Sequence, residues 1–178
     1  MTAILRAAPK ISAETPPLSL RPERPEDAVA VEHLIDRAFG PGRFAKTAER
    51  LREGRKPLTD LSFVAWDNGV LVGCVRQWPV TVGDRPVVFL GPFAVDPAWR
   101  SRGLGAALIA KACAAATEAG HDAILLVGDA PYFGPLGFDP VPKGQVVLPG
   151  PVDARRILTH SLKPGAGEGL SGLVKAGW

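Results

Sequence analysis

Along this chain the hydrophobic positions alternate between helical and extended spacing. Residues 1–17 mix Ala, Thr, Ser and Pro without a period and read as a flexible lead-in. Leu18–Arg21 is predicted as a short strand, after which Pro25 opens a helix with Glu26 and Asp27 in its first turn. In that helix Ala28, Val31, Leu34, Ile35 and Ala38 recur at i, i+3, i+6, i+7 and i+10, an apolar stripe that stops before Gly40-Pro41. A more polar helix is expected over Thr47–Glu53. Strands over Leu61–Trp66 and Val70–Val80 are joined by the hairpin turn Asp67-Asn68-Gly69. A second turn, Gly83-Asp84-Arg85-Pro86, leads into a strand over Val87–Val95. Gly103–Gly120 is an Ala-rich helix closed by glycine. Ala123–Val127 is the unbroken apolar run of a strand covered on both faces.

The strand–helix–strand order from Val87 to Val127 is a crossover, so those two strands are expected to run parallel. Short strands fit Gln145–Leu148 and Arg155–Leu162, whereas Gly165–Trp178 has no usable period. No repeat or internal linker divides the chain, and one mixed α/β domain over residues 18–178 is the expectation. Apolar residues at 46 % and charged residues at 22 % suffice for a buried core and exclude wholesale disorder. The net charge of +3 is too small for a nucleic-acid-binding composition, yet it suits a small anionic ligand. No run approaches the roughly 20 apolar residues of a membrane span, and residues 1–20 show no secretory h-region. Cys74 and Cys113 lie in apolar segments and read as buried free thiols of a reducing compartment, the cytoplasm. His33, His121 and His160 have no metal-ligand spacing, so no metal is expected. Trp66, Trp78 and Trp99 read as packing residues.

Chemistry concentrates where the strand ending at Val95 meets the helix opening at Gly103. A helix N-terminus presents unpaired N–H groups and a positive dipole end. Gly103 and Gly105 let a ligand approach the backbone, while Arg100 and Arg102 add fixed positive charge. The combination is a site for a phosphate or pyrophosphate. No Gly-Lys-Ser/Thr is present, which excludes a nucleoside-triphosphate loop. A dinucleotide fingerprint fails as well, because Leu108 occupies its last small position and Gly103 lies too far from the strand end.

The pattern Phe93-x-Val95-x-Pro97-x-x-Arg100-x-x-Gly103-x-Gly105 resembles the acetyl-CoA motif of the GNAT family of N-acetyltransferases, with Phe93 where that family usually has Leu. Residues 128–138, Gly-Asp-Ala-Pro-Tyr-Phe-Gly-Pro-Leu-Gly-Phe, resemble its second signature. With the Leu90-Gly91-Pro92 prelude, the likeness is greatest to bacterial small-molecule acetyltransferases. The resemblance implies a mostly antiparallel sheet in which the strands ending at Val95 and Val127 splay around the pantetheine arm. A bulge at Gly91-Pro92 would help that splay, since proline cannot donate to the ladder. By this resemblance Phe93, Ala94 and Val95 face the cofactor, and the Phe93 N–H serves as oxyanion donor. The N–H groups of Ser101, Arg102, Gly103, Leu104, Gly105 and Ala106 would cup the pyrophosphate.

The family often places a tyrosine where this chain has Phe133, one residue after its only tyrosine, Tyr132. Either Tyr132 turns in and protonates the thiolate, or the thiolate leaves with help from water. Asp129 is the candidate general base and otherwise a turn former; Asp96 reads as a local hydrogen-bonder. The implied reaction is transfer of an acetyl group from acetyl-CoA to an amine, of a small molecule or a peptide, by direct attack, with no covalent intermediate. A CoA-binding sensor without catalysis and a transferase of longer acyl chains are the alternatives, and a homodimer is compatible with either.

Overall fold

The extended spacing of the first half folds into an antiparallel meander. The computed structural model describes residues 18–178, so the expected lead-in over 1–17 lies outside the described residues. β1 (Ser19–Pro22), β2 (Phe63–Asp67), β3 (Val70–Val82) and β4 (Arg85–Val95) pair in that order, each antiparallel to the next. Asn68 and Gly69 take φ of 49° and 76°, the left-handed backbone that a two-residue hairpin requires. β5 (Ala123–Val127) joins β4 in parallel, as the crossover predicts. Beyond it lie β8 (Ile157–Ser161) and β6 (Asp139–Pro140), both antiparallel pairings.

Adjacent strand residues point to opposite faces, and each face has its own helix. Val64, Cys74 and Ala94 pack with Val31, Leu34 and Ile35 of α1 (Ala28–Phe39). Ala65 and Val75 pack instead with Leu104, Leu108 and Ile109 of α3 (Leu104–Glu118). Of the predicted stripe on α1, Val31, Leu34 and Ile35 are buried, while Ala28 and Ala38 are partly exposed. Asp27 is buried before α1 and accepts from Arg21 at 2.6 Å and from the Arg24 N–H at 2.8 Å. Burial alone would raise its carboxyl, but these hydrogen bonds outweigh that and hold it below the usual carboxylate range.

Three features depart from the sequence reading. The helix expected over Thr47–Glu53 is only α2 (Thr47–Arg50); the Leu51 and Arg52 N–H groups reach back just three residues, and turns carry the chain to Gly54 at φ 66°. The tail without a period holds β9 (Gly172–Ala176), which pairs with β3 and with β7 (Val146–Val147). Cys113 is half-buried, not buried, although both thiols are free and burial raises them, to about 12 at Cys74 and about 11 at Cys113. One edge of β3 thus serves two partners, β2 along its first half and β9 at Val80–Val82. Among the described residues no helix is long and apolar enough to cross a membrane.

Candidate functional site

β4 and β5 share only two rungs, Val88 with Ile124 and Phe89 with Leu125, and then part. The cause lies in β4. Val75 faces Phe93 and Gln77 faces Leu90, so Gly91 and Pro92 together oppose Arg76 as a β-bulge. Gly91 has φ 133°, which side chains rarely adopt, and its carbonyl accepts a 2.6 Å bond from Trp78 Nε1. Pro92 has no N–H to offer a neighbouring strand. Beyond the bulge the Asp96 N–H donates to the Val72 carbonyl at 2.8 Å. By the alternation of the ladder, Ala94 then turns its backbone groups to β3, and Phe93 and Val95 turn theirs to the opened side. The sequence expectation of a bulge and a splay at this point therefore matches the register.

The next segment rebuilds the chain as a helix start. Asp96 accepts from the Ala98 N–H at 3.0 Å, the local role read from sequence, and Arg100 Nε donates to the Val95 carbonyl at 3.3 Å. Ser101 (φ 60°) and Gly103 (φ 81°) turn left-handed before α3. Its first helical bond runs from the Ala107 N–H to the Gly103 carbonyl at 3.0 Å, so the N–H groups of Leu104, Gly105 and Ala106 have no helical acceptor. The Leu104 side chain is buried, whereas Arg100, Ser101, Arg102, Gly103 and Ala106 are exposed. The Arg102 guanidinium lies over the Trp99 ring at 5.4 Å, and among the described residues neither arginine has a carboxylate partner. The two glycines differ. A Cβ at Gly103 would meet nothing, so its positive φ is the constraint; one at Gly105 would collide with the Tyr132 hydroxyl and approach the Phe93 ring to 3.1 Å.

α4 (Ala130–Phe133) follows β5, and its two aromatic residues diverge. Phe133 is 9 % exposed and packs edge-on to Phe138 and Phe93, so the ring at the position the resemblance gives to tyrosine is a core ring. Tyr132 is 46 % exposed, with its ring 6.0 Å from that of Phe93. Partial burial pushes its phenol above the usual value, keeping the hydroxyl protonated. Asp129 has a mostly exposed side chain, ion-paired to Arg156 Nε at 3.1 Å.

On the other side of the splay a cavity of about 540 Å³ opens between β4, β5, α4, the α1–α2 segment and residues 151–156. Phe93, Tyr132 and Asp129 line it, but residues 100–106 do not, so the predicted site residues fall into two neighbouring groups. The cavity also contains residues that sequence reasoning missed: Arg43, Glu49 and Arg52. Arg43 precedes the polar helix expected over Thr47–Glu53, and Glu49 and Arg52 lie within it, where a charged residue reads equally well as a solvated face. Arg43 bonds Glu32 at 2.6 Å and Asp36 at 2.8 Å, and Arg52 bonds Glu49 at 3.2 Å. Among the described residues no group of three or more His, Cys, Asp or Glu could hold a metal ion.

Residues 28–132 match the acetyltransferase (GNAT) family. The chain is 30 % identical over 159 residues to the uncharacterized N-acetyltransferase YhbS of Escherichia coli K12, covering 88 % of this chain and 94 % of that one. The crystal structure of E. coli YhbS in complex with CoA superposes with a TM-score of 0.77 at 28 % identity, covering 89 % of each chain. A GNAT family acetyltransferase from Brucella melitensis, in complex with acetyl-CoA, superposes with a TM-score of 0.64 at 25 % identity, over 83 % of this chain and 89 % of that one.

Proposed function

The chain belongs to the acetyltransferase (GNAT) family, and from that membership we propose that it moves the acetyl group of acetyl-CoA onto a small amine by direct attack. The observation that carries the reading is the opened edge of β4, where Phe93 and Val95 present backbone groups that β5 does not pair. Such an edge suits the amides of a pantetheine arm, and the free N–H groups at the start of α3 suit its pyrophosphate. The relatives described above, crystallised with CoA and acetyl-CoA, support the same ligand.

The thioester supplies an acyl carbon open to attack by nitrogen. The Phe93 N–H donates to the thioester carbonyl oxygen as negative charge gathers there. Val95 holds the pantetheine, and residues Ser101 to Ala106, with Arg100 and Arg102, hold the phosphates. The amine nitrogen bonds to the acetyl carbon, the carbon–sulfur bond breaks, and the nitrogen gives up one proton at the Asp129 end of the cavity, directly or through water. The departing sulfur takes one proton from the Tyr132 hydroxyl. Residues 18–178 form the acetyltransferase domain, and the two free thiols favour a reducing, cytoplasmic setting.

The test is thiol release from acetyl-CoA across a panel of primary amines, with the acetylated product identified by mass. Amine-dependent release is expected. Tight CoA binding without release for any amine would instead establish the sensor reading.

A further inference from the structure

Arg43 and Arg52 line the cavity and Arg76 lies behind them in a smaller adjoining pocket; all three guanidinium side chains are largely covered, and they are not equally satisfied. Arg76 is held by Glu23 at 2.6 and 2.9 Å and by Glu32 at 2.6 Å. Arg43 has Glu32 and Asp36, with Glu49 at 3.6 Å. Among the described residues Arg52 has one weak partner, Glu49 Oε1 at 3.2 Å, and shares it with Arg43. Its side chain is 11 % exposed, and its Nε is buried with no hydrogen-bond partner among those residues. The guanidinium sits over the Phe89 ring at 5.5 Å and against the bulge, where a Cβ on Gly91 would lie 2.8 Å from its Nη2. Burial pushes Arg52 down to about 10, because Glu49 makes up only part of what desolvation removes. It nevertheless stays charged at neutral pH.

A buried cation short of donors' partners is expensive to fold around unless something else completes it. A planar fork with unused N–H groups matches a carboxylate, which accepts two parallel bonds. Arg52 lines the cavity beside Phe89, Gly91 and Phe93, next to the edge assigned above to the thioester. Of the other cations there, Arg43 is already bonded to carboxylates, Arg156 is paired with Asp129, and Lys46 lies over the Phe39 ring at 4.8 Å. Ile35, Phe39 and Leu126 supply an apolar wall.

Resting on the acetyltransferase reading, we propose that the acceptor is a small molecule bearing both an amine and a carboxylate, and that Arg52 binds the carboxylate. Arg52 is then a specificity-determining residue, and neutral amines of equal size are poor acceptors.

The experiment compares acids with their primary amides. The standard amino acids, β-alanine and 4-aminobutyrate, each beside its amide, are assayed as acceptors with acetyl-CoA. Their N-acetylated forms are titrated by calorimetry into the CoA-loaded protein. In at least one pair the acid should lead by about 10- to 100-fold in kcat/KM and in affinity, the value of one charge-assisted carboxylate contact. Arg52→Met should bring that ratio near one, and Arg52→Lys should restore part of it, with thermal melts reporting folding of both. Equal use and equal binding of acid and amide in every pair would overturn the inference while leaving acetyl transfer standing. An equal loss for both members in Arg52→Met would also overturn it, making Arg52 a structural residue. Should no amine release thiol, the acetyltransferase reading falls, and the calorimetric ratio still decides whether a carboxylate is bound.

Discussion

The loop at the start of α3 and the cavity across the splay are built on opposite plans. The loop presents backbone N–H groups from one short segment, with arginines engaged, among the described residues, only by Val95 and Trp99. The cavity presents side chains from five separate stretches of chain, locked by buried ion pairs. A backbone site tolerates most side-chain changes but not a change of φ, whereas a side-chain site depends on long-range packing. This difference separates recognition of a fixed common ligand from recognition of a variable one.

Tyr132 stands at the seam between the two, and its loss should have the largest effect. Tyr132→Phe is expected to lower kcat by about 10²–10⁴-fold with acetyl-CoA affinity nearly constant, measured by steady-state thiol release. Because burial raises the phenol, the alkaline fall in kcat from its deprotonation should come at higher pH than an ordinary tyrosine would give. Turnover at the wild-type level would return Tyr132 to a packing role. On the cavity side, Arg76→Met leaves Glu23 without its cation and should destabilise by about 3–5 kcal/mol in urea unfolding. Arg52→Met removes only a shared, weak contact and should change stability by less than about 1 kcal/mol. Similar losses for both would erase the contrast between framework and site arginines.

The loop should respond through its backbone. Gly103→Ala places no atom in contact with any other, so a loss of about 1–2 kcal/mol would be due to φ alone. Calorimetry of CoA should show weaker binding in step, because the same turn sets the free N–H groups. The smallest effects belong to Arg100→Ala and Arg102→Ala. Each should weaken CoA binding a few-fold, about 0.5–1 kcal/mol, and the loss should shrink as salt screens the phosphates. A loss independent of salt would assign these arginines to holding Val95 and Trp99, not the ligand.

What was legible in the sequence follows the same division. The strand from Val87 to Val95, the turn, the helix to Gly120 and the strand at Ala123 are contiguous, so periodicity and glycine chemistry located the phosphate loop. Gly91-Pro92 gave away the bulge because proline lacks a donor. Arg52 was hidden because what distinguishes it is a buried Nε without a partner among the described residues, and what buries it comes from elsewhere in the chain. Thr47–Glu53 reads as a more polar helix in which no single residue stands out, yet its turns end early and send Leu51 and Arg52 inward. β9 was missed because five residues that begin at Gly172 and stop before Gly177 owe their strand to β3 and β7, not to any repeat of their own.

The double use of the β3 edge has a consequence for handling the protein. Val80, Thr81 and Val82 owe their cover on that side to Val174, Lys175 and Ala176. Trimming the chain before Gly172 would bare a short row of unpaired backbone groups flanked by apolar side chains, a template on which another copy could add a strand. A shortened form should therefore form turbid, sheet-rich aggregates on standing.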